Sequence, residues 1–121
     1  MSLNVVDSSA WLEYFADTAR AKLFAAAIED IGNLIVPAIV LYEVCKKVRR
    51  ERGEDAVLQV AAALESGRIV ELDASIALEA SRLDLPLADS LIFATARRLG
   101  ATVWTQDGDF AGLDGVRYFA K

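Results

Sequence analysis

The sequence has no histidine, one cysteine and two prolines among its 121 residues. Each scarcity removes a class of chemistry. Without histidine there can be no Ser-His-Asp triad, Cys-His pair, HExxH zinc site or imidazole acid-base pair. The lone Cys45 excludes an internal disulfide and any multi-cysteine zinc or iron-sulfur site. Placed in a helical pattern, it reads as a small buried hydrophobe. The longest apolar run, Ile35 to Tyr42, contains Pro37 and falls far short of the roughly 20 residues of a membrane-spanning helix. Asp7 is reached before any long apolar stretch and no early Lys or Arg precedes it, so no secretory leader is expected and a cytoplasmic location is the default. No GxGxxG or GxxxxGK[ST] pattern occurs, which leaves dinucleotide and P-loop readings without their phosphate-cradling glycines.

What is present is apolar and acidic. A hydrophobic fraction of 55% fits a well-packed fold, and the length suits one domain spanning residues 1–121. No repeat, low-complexity tract or linker interrupts it. Eighteen acids against 13 bases give a net charge of -5, so the global field repels nucleic acid and any such partner must be held locally. If the chain is a hydrolase, carboxylates holding a metal are the means left to it.

Hydrophobic patterning alternates between strands and helices. Leu3 to Val6, Leu34 to Val36, Arg68 to Leu72 and Ala101 to Trp104 read as strands, with Arg117 to Phe119 as an edge strand. Helical patterns occupy Ser9 to Phe15, Ala19 to Ile31, a segment opened by Pro37 and ended near Gly53, Glu54 to Ser66, Ala74 to Arg82, and a segment from Pro86 to Leu99. This alternation predicts an α/β fold of three α/β/α layers around a parallel sheet of about four or five strands. In such sheets the functional crevice lies beyond the carboxyl ends of the strands. Asp7 and Asp107 each follow an apolar strand within three residues, so both are expected at that edge.

Each acid also has an ordinary structural role open to it. Asp7 can cap the helix that follows. Glu43 stands four residues before Lys47 and can form a surface ion pair, although Ile39, Val40, Leu41 and Val44 make its turn apolar. Asp89 falls at a helix start, where negative charge is favoured. Asp107 and Asp109 flank Gly108 in a common turn signal. A calcium loop beginning at Asp107 fails, because its fifth and twelfth ligand positions are Ala111 and Tyr118. A dehalogenase-like phosphatase would want an acid where Ser9 stands.

Taken together the contexts say more: strand-Asp7-Ser-Ser, a mid-helix Glu43, Leu85-Pro-Leu-Ala-Asp89-Ser-Leu-Ile-Phe-Ala-Thr-Ala-Arg97, and Thr105-Gln-Asp107-Gly-Asp109-Phe110. In this order and spacing, across nearly the whole chain, they resemble the PIN-domain family, most closely the toxins of VapBC-type toxin-antitoxin pairs. The resemblance implies a metal-dependent endoribonuclease in which Asp7, Glu43, Asp89 and Asp107 converge on one or two divalent ions, with Asp109 auxiliary. It also implies that Ser8 and Thr105 orient ligands or water through their hydroxyls. Oxygen ligands without His or Cys suit Mg2+ or Mn2+. The partners implied are an RNA substrate such as tRNA or rRNA, a cognate antitoxin and a second copy in a homodimer.

Lys46, Arg49, Arg50 and Arg97 crowd the ends of the Glu43 and Asp89 helices, where they either complement the helix dipole or hold RNA backbone. Gln106 and Gly108 occupy positions where relatives carry bases, so no cation grips phosphate there. Trp11, Tyr14 and Phe15 read as core packing or as an anchor for a partner. Two rival functions share this residue set. One is a PIN-like module that binds a partner's arginine without cleaving; the other is a metal-dependent phosphoesterase acting on DNA or small phosphate esters.

Overall fold

A computed structural model describes residues 2–121. Five strands form one sheet in the order β3-β2-β1-β4-β5, with every neighbouring pair parallel. They are β1 (Asn4–Val6), β2 (Leu34–Pro37), β3 (Arg68–Val70), β4 (Thr102–Thr105) and β5 (Val116–Tyr118). Six α-helices flank them: α1 (Ser8–Phe15), α2 (Ala21–Glu29), α3 (Ala38–Arg52), α4 (Glu54–Glu65), α5 (Ala74–Ala80) and α6 (Leu87–Leu99). All residues of β1 and β2 are buried, as central parallel strands covered on both faces must be. Val5, Val6, Ile35, Val36 and Val103 form the middle of the core, packed with Trp11, Phe24 and Phe110.

The strand order reverses beside β1. The chain runs outward from β1 to β2 and β3, then returns to pair β4 with the other side of β1. The loops leaving β1 and β4 therefore diverge from adjacent strand ends and leave a crevice between them. α6 crosses behind this point and packs against β1, β2 and β4. Every residue from Ser90 to Ala96 is buried, so α6 is held rigidly and its first turn faces the crevice as a fixed support.

Helix limits follow the local chemistry. Asp73 caps α5 by accepting from the Ile76 N–H at 2.9 Å. Gly100 ends α6 in the left-handed conformation that glycine adopts without steric cost. The sequence reading puts Pro37 and Pro86 inside their helices. Both instead stand just before them in extended conformation, with ψ of 140° and 158°. Proline fixes φ but leaves ψ free, and here ψ keeps Pro37 in β2, paired with Val70. β4 runs one residue later than expected, which brings Thr105 into the sheet. No helix among the described residues is long and apolar enough to cross a membrane.

Gly53 joins α3 directly to α4 with φ 85° and ψ 179°, a region open essentially to glycine alone. A Cβ there meets open space, so only backbone strain opposes it. Gly53→Ala is expected to lower unfolding stability by about 1–3 kcal/mol. Gly32→Ala, equally uncrowded but without positive φ, should stay within about 0.5 kcal/mol. Equal losses in urea titrations would contradict this account of the α3–α4 junction.

Candidate metal centre

Asp7 is the first residue past β1 and extends its ladder, its N–H donating to the Trp104 carbonyl at 3.1 Å. It caps α1, with Oδ1 accepting from the Ala10 N–H at 3.2 Å, and Ser9 Oγ donates to Oδ2 at 3.1 Å. Capping and a place in the crevice are thus compatible. Burial pushes the Asp7 carboxyl up to about 6, against the opposing bonds from Ala10, Thr105 and Ser9. Asp107 follows β4 by two residues. Its N–H donates to Thr105 Oγ1 at 2.9 Å, and its Oδ1 accepts from the Asp109 N–H at 2.9 Å.

Asp89 enters from the first turn of α6. Carboxylate oxygens of Asp89, Asp107 and Asp109 all lie within 4.8 Å of one another. Burial raises Asp89 most, followed by the charge of Asp107 and a hydrogen bond to it, then Asp109 and Asp7; together they bring it to about 7. Glu43 lies on α3, and its Oε1 accepts from Ser8 Oγ at 2.6 Å. It forms no ion pair with Lys47, which pairs with Glu51 at 3.3 Å. Asp7, Glu43, Asp89 and Asp107 line one open cleft of about 880 Å³, and Ser8 lines it beside them.

The donor set suits a hard divalent cation. It offers carboxylate oxygens, those of Asp89, Asp107 and Asp109 are close enough to share an ion, and burial together with the repulsion of these neighbours raises the Asp89 carboxyl. A cation would remove that repulsion.

The basic residues divide differently from the sequence reading. Lys46 is held by Tyr42, whose hydroxyl is 2.9 Å away; Arg49 pairs with Glu54 at 2.7 Å; Arg97 lies over the Phe93 ring. Neither these three nor Arg50 lines the cleft, whereas Lys47, Arg52 and Lys121 do. Helical spacing carried the signal: Glu43, Lys47 and Glu51 form an i, i+4, i+8 row that faces the cleft, obscured by the density of bases around it. Ser9, Glu13 and Gln106 also belong to this site and were passed over. Trp11 is fully buried, stacked on Phe15 at 5.5 Å, so this pair serves the core and the cleft wall. Cys45 is half-buried against the core.

The PIN domain family model matches residues 5–116. This chain belongs to the PIN domain family. A toxin-antitoxin complex from Klebsiella pneumoniae contains a chain that superposes with a TM-score of 0.81 at 23% identity, covering 98% of this chain and 99% of that one. VapC20 of Mycobacterium tuberculosis, a sarcin-ricin-loop-cleaving toxin, superposes with a TM-score of 0.74 at 26% identity, covering 94% and 98%. DNA-bound VapBC of Salmonella typhimurium gives 0.73 at 14% identity, covering 99% and 98%. No curated protein matches in sequence. The PIN resemblance and the parallel α/β sheet read from the sequence are both borne out.

The raised carboxyls of this PIN domain set a pH dependence. Asp89 has an ordinary value of 3.8 and stands at about 7 when folded, so between these pH values the folded state binds more protons than the unfolded. Its contribution is most favourable below pH 4 and declines as pH rises toward 7. In EDTA, the melting temperature of the native protein should therefore fall relative to that of Asp89→Asn as pH increases from 4 to 7. A constant difference across that range would refute the electrostatic picture.

Proposed function

We propose that this PIN domain is a metal-dependent endoribonuclease, the toxin of a toxin-antitoxin pair. The observation that carries the reading is the shared cleft of Asp7, Glu43, Asp89 and Asp107 at the carboxyl ends of β1 and β4. Kinship supports it: one neighbouring fold comes from a toxin-antitoxin complex, and another is a toxin that cleaves the sarcin-ricin loop. These similarities make RNA a better substrate candidate than DNA or small phosphate esters.

In this reading Asp89 and Asp107 would hold the ion, assisted by Asp109, and Asp7 and Glu43 would bind it directly or through water. When bound, Mg2+ or Mn2+ supplies positive charge that acidifies water and stabilises a leaving oxygen. Ser8 fixes one oxygen of Glu43 and leaves the second free to accept a hydrogen bond or proton from water in the cleft. Thr105 holds the Asp107 backbone and, together with Ser9, favours the charged form of Asp7. No covalent enzyme intermediate is required.

Lys47, Arg52 and Lys121 are the cations available to RNA phosphates along this cleft. Releasing Lys47 from Glu51 costs little, because both side chains are more than half exposed. Lys46, Arg49, Arg50 and Arg97 would act at most beyond the rim. The apolar wall of Leu12, Phe15, Val48 and Val60 suits an antitoxin segment that blocks the acids. A homodimer remains part of the same reading.

Labelled tRNA and rRNA should be cleaved with Mg2+ or Mn2+ and spared in EDTA. A folded Asp89→Asn protein should lose about a hundredfold or more of the rate, the scale of losing one electrostatic group from an active site. Equal cleavage by this variant would refute the assignment, and RNA binding without any metal-dependent cleavage would favour a binding module. Arg52→Glu should weaken RNA binding and reduce its salt slope by about 1, while Arg50→Glu leaves the slope unchanged. The opposite pattern would restore the sequence-based choice of cations.

A further inference from the structure

Gln106 separates the last sheet residue, Thr105, from Asp107, and it is buried to 5% exposure. A buried carboxamide left unpaired is costly, and this one is held at both ends. Its Oε1 accepts from Arg20 Nε at 2.6 Å, and its Nε2 donates to Glu13 Oε2 at 2.8 Å. The partners dictate the amide orientation: a flipped amide would set N–H against N–H and oxygen against carboxylate. Glu13 also accepts from Thr18 Oγ1 at 2.7 Å, and the bonds from Gln106 and Thr18 hold its carboxyl below the usual range. It stays charged and keeps its grip.

Arg20 extends the clamp to the end of the chain, with Nη2 donating to the carbonyls of Phe119 at 2.8 Å and Ala120 at 3.3 Å. Two segments therefore meet on one carboxamide, the last turn of α1 through Glu13 and the residue before α2 through Arg20, and Arg20 ties the stretch after β5 to them. The residue so fixed is the immediate neighbour of Asp107. Asp107 itself is tied by its N–H to Thr105, by its Oδ1 to the Asp109 N–H, and by its carbonyl to the Phe110 N–H at 3.1 Å.

We propose that Gln106 is a positioning residue. Clamped between Glu13 and Arg20, it sets Asp107 at the distance from Asp89 and Asp7 that a shared divalent cation needs. The proposal rests on the acidic cluster being a cation site. It assigns a role to a side chain that contributes no ligand and no phosphate contact, and it ties cation affinity to Glu13 and Arg20.

The test is calorimetric titration of the full chain with MnCl2, with folding checked by circular dichroism. Gln106→Glu keeps the acceptor for Arg20 but sets a carboxylate against Glu13. By charge alone it would tighten cation binding; by positioning it should weaken Mn2+ binding about tenfold, the scale seen when groups behind metal ligands are altered. Gln106→Leu, which lacks both bonds and adds no charge, should show a similar loss. Combining Gln106→Glu with Glu13→Gln exchanges donor and acceptor and should restore affinity to within about threefold of the native protein, a rescue that general loosening of the fold would not give. Asp107→Asn serves as reference. If it abolishes binding while both Gln106 variants bind Mn2+ as the native chain does or more tightly, the clamp is refuted. If Asp107→Asn binds normally, the cation-site reading beneath it fails instead.

Discussion

The hydrogen bond from the Asp7 N–H to the Trp104 carbonyl, 3.1 Å long, is where the sheet stops and the site begins. It continues the β1–β4 pairing by one rung beyond Val6, so the loops carrying Asp7 and Asp107 leave the sheet side by side. That adjacency depends on a parallel register in which both strands point the same way. It also depends on the strand order, which places β4 next to β1 although nearly a hundred residues separate them in sequence. An antiparallel β4 would send Asp107 to the opposite end of the sheet.

Adjacency brings a cost that neighbouring groups offset. Burial is the main force disfavouring ionisation at Asp7 and Asp89, and like charges at short range add to it. The surrounding donors meet this repulsion piecemeal: Ser9, Ala10 and Thr105 at Asp7, Ser8 at Glu43, the Asp109 N–H at Asp107. None of these is a cation. The nearby bases Lys47, Arg52 and Lys121 lie around the cleft without pairing with the four acids, and Arg20 is engaged with Gln106 and the chain's last carbonyls. The arrangement leaves a concentrated negative potential that a divalent ion would neutralise, in a protein whose net charge is already -5.

Much of this was legible in the sequence because strand-then-acid is a local pattern. Asp7 and Asp107 follow apolar strands directly, and parallel sheets gather such positions at one edge. Asp89 was legible through the motif around Pro86, and Glu43 through its apolar turn. The cations were not, since a cluster such as Lys46 to Arg52 contains several helical rows and only packing against α1 and α4 decides which row faces inward. Gln106 escaped for a different reason. Its value lies in partners 86 and 93 residues away, at Arg20 and Glu13, which no local spacing relates. The two prolines misled by one residue each because proline constrains φ and leaves ψ to tertiary structure.

Anomalous diffraction from crystals soaked in MnCl2 tests the central claim most directly, because it locates the ion independently of any turnover. The account predicts an anomalous peak among the carboxylates of Asp89, Asp107 and Asp109, facing Asp7 and Glu43, with Asp89 no longer hydrogen-bonded to Asp107. A fully soaked crystal with no peak there, and with Asp89 still hydrogen-bonded to Asp107, would contradict it.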